Sequence, residues 1–172
     1  AHPRAAGALP EGVAPRAMAA SASPLHGALA ALTTGIYVLT TRDGEARHGM
    51  SSSWVTQVSG TPPLLMAAVD VGHASHAMIE RSRRFALNIV GGPARHLEDY
   101  FYSPASRVAD NLARVECEES PAGLPYLRDA LASLECRVVD CHRAGDHTLF
   151  VAEITDVVVR ASDPPLTSQA LQ

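Results

Sequence analysis

The sequence predicts a mainly β protein, an antiparallel barrel with a few helices packed outside. Three observations carry that expectation. Runs of β-branched, aromatic and aliphatic residues recur at 36–42, 64–69 and 85–90. Two of the joints between such runs are hairpin turns, Asp43-Gly44 and Ala144-Gly145-Asp146. Helical spacing of apolar residues is confined to short stretches.

Taken in order, Pro24 opens a short predicted helix over 25–32, with Leu25, Leu29 and Leu32 on one face. A strand over 36–42 leads through Asp43-Gly44 into a long extended segment, 47–59, which ends at the corner Pro62-Pro63. The continuous apolar run 64–69 is a buried strand. A helix over 72–82 follows, then a strand over 85–90, broken by Gly91-Gly92-Pro93, and a second helix over 94–101. Residues 103–124 read as a long irregular excursion, a length usually reserved for functional or disordered segments. After a short buried turn at 127–131, a final hairpin pairs 134–142 with 148–159. Residues 1–24, rich in Ala, Pro and Gly, are expected to form a flexible arm. The folded domain is expected over 25–160, and the polar, Pro-containing tail 161–172 is expected to be loose.

Composition narrows the function. A chain of 172 residues with 47% hydrophobic and 19% charged residues can bury a sizeable core without disulfide or metal staples. The net charge of −4 gives no nucleic-acid footprint. All 14 basic residues are Arg, which excludes Schiff-base lysine chemistry. Cys117, Cys136 and Cys141 have no framework spacing and fit a reducing, cytoplasmic setting. No apolar run reaches the roughly 20 residues of a membrane span.

The most informative stretch is HGMSSSWVTQVSGTPPLLMAAVD, His48 to Asp70. Its first half crowds Ser51, Ser52, Ser53, Thr56 and Gln57 around Trp54, although its β-formers argue for an extended chain. Strand alternation puts Ser51 and Ser53 on one face and Ser52 and Trp54 on the other. Such a segment offers hydroxyls beside an aromatic plate. Asp70 to His76 joins a buried strand to a helix start, where free N–H groups attract phosphate and Ser75 is a capping or phosphate donor. His73 and His76 share a helix face, but a metal reading lacks a third ligand nearby. Asn88 interrupts an apolar strand, where a buried amide needs partners. Gly145-Asp146-His147 places an imidazole at the start of the last strand, at the barrel rim.

The blocks TTGIYVLTTRDGEARHGMSSSWVTQVSGTPPLLMAAVD, FALNIV and GDHTLFVAEITDV, in that order and spacing, resemble the flavin reductase-like family. The resemblance covers roughly residues 25–160. It implies an FMN-binding split β-barrel that dimerises around its flavin sites. It also implies hydride transfer from NADH or NADPH to bound FMN or FAD, with reduced flavin passed to a partner monooxygenase. It places Met50, Ser51, Ser52, Ser53, Trp54, Thr56 and Gln57, together with Asp70, His73, Ala74, Ser75 and His76, at the flavin, and His147 at the nicotinamide side as the catalytic candidate. An FMN electron carrier of the flavoredoxin kind, without a nicotinamide site, is the alternative. A split-barrel scaffold without flavin is a third.

Overall fold

The computed structural model describes residues 23–172. The expected arm falls almost wholly outside them. The chain divides into a short N-terminal unit, up to Thr33, and a larger unit, Thr34–Gln172. The described part of the first is helix α1, Pro24–Ala30, with Pro at its first turn and the Ser23 hydroxyl accepting from His26 N–H.

The second unit is built on one seven-stranded antiparallel sheet. Its strands are β1 (Tyr37–Asp43), β2 (Ala46–Ser52), β3 (Val55–Gly60), β4 (Pro63–Asp70), β5 (Arg84–Ile89), β8 (Ala132–Ala144) and β9 (His147–Val159), in the order β2-β1-β5-β8-β9-β4-β3. Strands β6 (Cys117–Glu119) and β7 (Pro125–Leu127) pair separately. Helices α2 (Ala74–Ser82) and α3 (Arg95–Tyr102) complete the unit. The fold is thus mainly β and antiparallel, as the sequence predicts, and no ladder joins the edges β2 and β3.

The hairpins form where turn chemistry allows. In β1–β2 and in β8–β9 a glycine at φ +59° takes the first of two loop positions, Gly44 and Gly145. β1 alternates its side chains between two cores. Leu39 joins Met50, Leu65, Val69, Ile79, Phe85 and Phe150 in the core covered by α2. Val38 joins Val90, Leu97, Phe101, Leu112 and Leu166 in the core under α3. Asn88 sits between strands with every group used. Its Nδ2 donates to Val38 C=O and Thr40 Oγ1, and its Oδ1 accepts from Leu127 N–H and Ser133 Oγ. It is a structural residue.

Three expectations are corrected. The extended segment 47–59 is two strands, because β2 pairs with β1 whereas β3 pairs with β4 at the opposite edge, so the chain must break its ladder between Ser52 and Val55. The supposed alternation of Ser52 with Trp54 is lost with it. Ser52 is buried and Trp54 is exposed. Residues 161–172, read from composition as loose, are tied in by backbone: Ile36 N–H donates to Leu166 C=O, Leu166 N–H to Val90 C=O, and Gly92 N–H to Pro164 C=O. Finally, His73 and His76 do not act from one face. His73 caps α2, its Nδ1 accepting from Ser75 N–H, while His76 turns inward to Thr148.

Candidate functional site

The site is a consequence of the broken strand. Ser51 and Ser52 are the last residues of β2 paired to β1, opposite Val38 and Tyr37, and pairing resumes at Val55 opposite Ala67. Ser53 and Trp54 therefore carry the chain between two sheet edges, fixed by the 2.9 Å bond from Ala68 N–H to Trp54 C=O. A row of hydroxyls thus leaves the sheet and becomes a wall.

On one side of the wall lies a small cleft of about 190 Å³, lined by Met50, Ser51–Ser53, Trp54, Ala68, Asp70 and His147. The register of β4 against β9 sets Asp70 directly across from His147. The His147 ring meets the Trp54 ring at 4.7 Å between centroids, tilted by 42°. Its Nδ1 lies 2.6 Å from Asp146 Oδ1. That bond, with the positive field it brings, lowers the Asp146 carboxyl below the usual range. A carboxylate partner favours the proton on Nδ1 and leaves Nε2 without a hydrogen-bond partner among the described residues.

On the other side of the same serines opens a cavity of about 750 Å³, bounded by Arg95, Glu98 and Tyr102 of α3 or its end and by Ser168 and Leu171. Glu98 is buried and accepts a short hydrogen bond from the Ser51 hydroxyl. Burial pushes its carboxyl above the usual range, against the opposing pull of that hydrogen bond.

A third cavity, about 510 Å³, adjoins the start of α2 and takes in His48, His73, Ala74, Arg107 and Asn111. His48 Nδ1 is 2.9 Å from the buried Ser75 Oγ, and the His48 and His73 rings are 5.6 Å apart. Burial lowers both imidazoles, so both favour the neutral form. The helix start is less open than the sequence suggests: Gly72 N–H donates to Asp70 Oδ1 at 2.7 Å and Ser75 N–H to His73 Nδ1 at 3.2 Å.

Of the residues singled out from sequence, Met50, Ser51, Ser52, Ser53, Trp54, Asp70 and His147 come together in one cleft. His73 and Ala74 line the neighbouring cavity. Ser75 and His76 are buried, held by His48 and Thr148. Thr56 and Gln57 lie apart, both exposed on the edge strand β3, and line an apolar groove with Tyr37, Leu65 and Ile154. Sequence reasoning missed Arg95, Glu98 and Asn111, and passed over His48. The length of the 103–124 excursion was the available signal for Asn111. Among the described residues no group of His, Cys, Asp and Glu could hold a metal ion, and no helix is long and apolar enough to cross a membrane.

Comparison with known proteins points one way. The profile of the Flavin reductase like domain matches residues 29–170. The chain is 33% identical over 131 residues to the reductase component of a 4-nitrophenol 4-monooxygenase/4-nitrocatechol 2-monooxygenase from Rhodococcus opacus, covering 76% of this chain and 69% of that protein. It is 35% identical over 130 residues to the NADH-dependent flavin reductase StyB of Pseudomonas fluorescens, covering 74% and 73%. The flavin reductase PheA2 in its native state superposes with a TM-score of 0.71 at 33% identity, over 83% of this chain and 90% of that one. Against diflavin flavoprotein A 1 of Synechocystis, 33% identical over 135 residues, the chain spans about a quarter of the relative's length, 24%.

Proposed function

The chain belongs to the flavin reductase like family, and we propose that it is an NAD(P)H:flavin oxidoreductase, a homodimer that passes reduced flavin to a partner oxygenase. The observation that carries this reading is the hydroxyl wall Ser51–Ser53 set between an aromatic–imidazole pair and a cavity of about 750 Å³.

The residues present fit a flavin. Ser52 and Ser53 have no side-chain hydrogen bond among the described residues, so their hydroxyls are available to a polar ring edge or a polyol chain. Trp54, 58% exposed, offers a flat apolar face that a soluble protein would otherwise bury. The larger cavity falls within the range of cofactor pockets, roughly 300–1,000 Å³. When bound, the flavin supplies the redox chemistry by accepting hydride from the reduced nicotinamide. The protein's part is position and access. Trp54 and the serines would hold the flavin ring, and His147, held by Asp146 and lining the same cleft, would contact the incoming nucleotide.

Dimerisation is supported by exposed apolar residues that a lone copy leaves uncovered: Val58 of β3 and Val157 and Val159 of β9.

The test is a stopped-flow mix of NADH or NADPH with protein loaded with FMN or FAD, following the visible flavin band. Bleaching faster than free flavin under the same conditions is expected. Bound flavin that neither nucleotide reduces would replace this reading with that of an electron carrier, and protein that binds no flavin would end both.

A further inference from the structure

Glu98 is a buried charged group that the fold does not explain. It is 8% exposed, and among the described residues it has no ion pair. Its neighbour Arg95 is bonded to other groups, with Nε 3.8 Å from Asp99 Oδ1 and Nη1 donating to Ala170 C=O. A buried carboxylate without a cation is costly and is seldom kept for stability. Its one side-chain partner is Ser51 Oγ, on the wall of the proposed flavin site.

A serine hydroxyl has one proton and two lone pairs. When that proton is committed to Glu98, Ser51 can only accept from the cavity. The second Glu98 oxygen, Oε1, has no partner among the described residues and is likewise an acceptor. We propose that Glu98 is a positioning residue that locks Ser51 as a hydrogen-bond acceptor, making this side of the site select a ligand edge that presents an amide-type N–H. Within the flavin reductase reading, on which this rests, two ligands carry such an edge: the imide of the flavin ring and the carboxamide of the nicotinamide. An acceptor pair of this kind repels phosphate, so the anionic part of either ligand lies away from Glu98 and Ser51.

Groups facing Glu98 are few. On its own helix Arg95 and Asp99 line the same cavity, with Tyr102 at the helix end; β2 brings the serine hydroxyls and the C-terminal segment brings Ser168. Protonation of Glu98 makes it a donor to Ser51 or to the cavity and frees the Ser51 proton, so the face no longer only accepts. Affinity for the N–H ligand therefore falls as pH falls.

The experiment uses the full chain and two probes in separate titrations without turnover: FMN without nicotinamide, and NADH without flavin, each followed by fluorescence. Glu98→Leu and Ser51→Ala should each weaken one of the two probes about tenfold, the loss of one charge-assisted hydrogen bond. The double variant should be no weaker than the worse single, because both changes remove one unit. The probe that weakens identifies which ligand meets the pair. Wild-type affinity for it should decline at low pH, and the profile should flatten in Glu98→Gln, which keeps a carbonyl acceptor but does not titrate. The inference is overturned if folded Glu98→Leu binds both probes as tightly as wild type, or if the two losses multiply in the double variant. Should Glu98→Leu not fold, a Glu98→Gln profile identical to wild type overturns it. Wild-type protein that binds neither probe would overturn the flavin reductase reading itself, a different result from binding that ignores Glu98.

Discussion

Asn111 is the residue whose loss should couple stability most directly to the site. β2 is an edge strand, and Gly49, opposite Thr40 in β1, turns its backbone groups outward. Asn111, 1% exposed, takes the place of a missing strand. Its Oδ1 accepts from Gly49 N–H at 2.8 Å, and its Nδ2 donates to Gly49 C=O at 2.7 Å and to Ser106 C=O at 3.1 Å. Gly49 itself cannot be enlarged to compensate, because a Cβ there would lie 2.6 Å from Phe101 Cε1. Asn111→Ala removes three hydrogen bonds and strands one buried donor, for a total of about 3 kcal/mol. In a chain of this size that lowers the melting temperature by about 6–12 °C, at roughly 2–4 °C per kcal/mol. Asn111→Asp should be worse at neutral pH, since it keeps the acceptor but aims a second oxygen at two carbonyls. It should recover partly in acid, where a protonated carboxyl can donate again. Urea and thermal unfolding at several pH values read both effects, and flavin titration reads whether β2 still presents its serines. If Asn111→Ala costs under about 1 kcal/mol, or if the Asp variant is as stable as wild type at neutral pH, the bonds to Gly49 do not hold the edge.

Other outcomes follow from the same geometry. His147→Ala should slow flavin reduction by NAD(P)H, by about 10²-fold where the imidazole assists a proton or positions the reacting groups, while flavin affinity stays nearly constant; parallel loss of both would assign His147 to the flavin pocket. The neutral burial of His48 and His73 stabilises the fold above the unfolded imidazole pKa of about 6.5 and is lost as pH falls below it toward their lowered values. His48→Gln, which preserves a bond to Ser75, should therefore shallow the fall in melting temperature between about pH 7 and 5; an unchanged slope would remove His48 from that account. Sedimentation should give twice the 18.1 kDa chain mass at micromolar concentration, and a monomer that retains flavin would refute the proposed dimer.

Much of the fold was legible because it rests on local signals. Glycines in the first loop position announce both tight hairpins, and the apolar runs at β4 and β5 announce buried strands. What was not legible depends on partner choice. Nothing in Ser53-Trp54 marks a break, since neither residue is a breaker; the interruption arises because β2 and β3 find partners at opposite edges of the sheet. The C-terminal segment read as loose because its composition is polar and Pro-containing, while its anchorage is the buried Leu166 side chain and backbone groups that carry no sequence signal. Glu98 carries no signal of its own as one acidic residue in a short helix, and only packing against Ser51 singles it out.

The polar residues in and around this interior fall into two kinds, and the difference supports the proposed site without recourse to relatives. Thr40, Asn88 and Ser133 are fully buried and bonded to one another or to backbone, so they close a network that specifies how β1, β5, β7 and β8 meet. Ser52 and Ser53 stand one strand away with hydroxyls left open, beside an exposed Trp54 and a buried carboxylate without a cation. A sequence selected for stability alone would place valine or alanine there, since an apolar side chain in that wall needs no partner. An uncovered indole and an unpaired Glu98 each cost stability separately, yet they occur together, beside the free serine hydroxyls, where the strand is broken. Costs concentrated in this way fit the proposed binding site, because a ligand that covers the indole and gives Glu98 a partner offsets both at once.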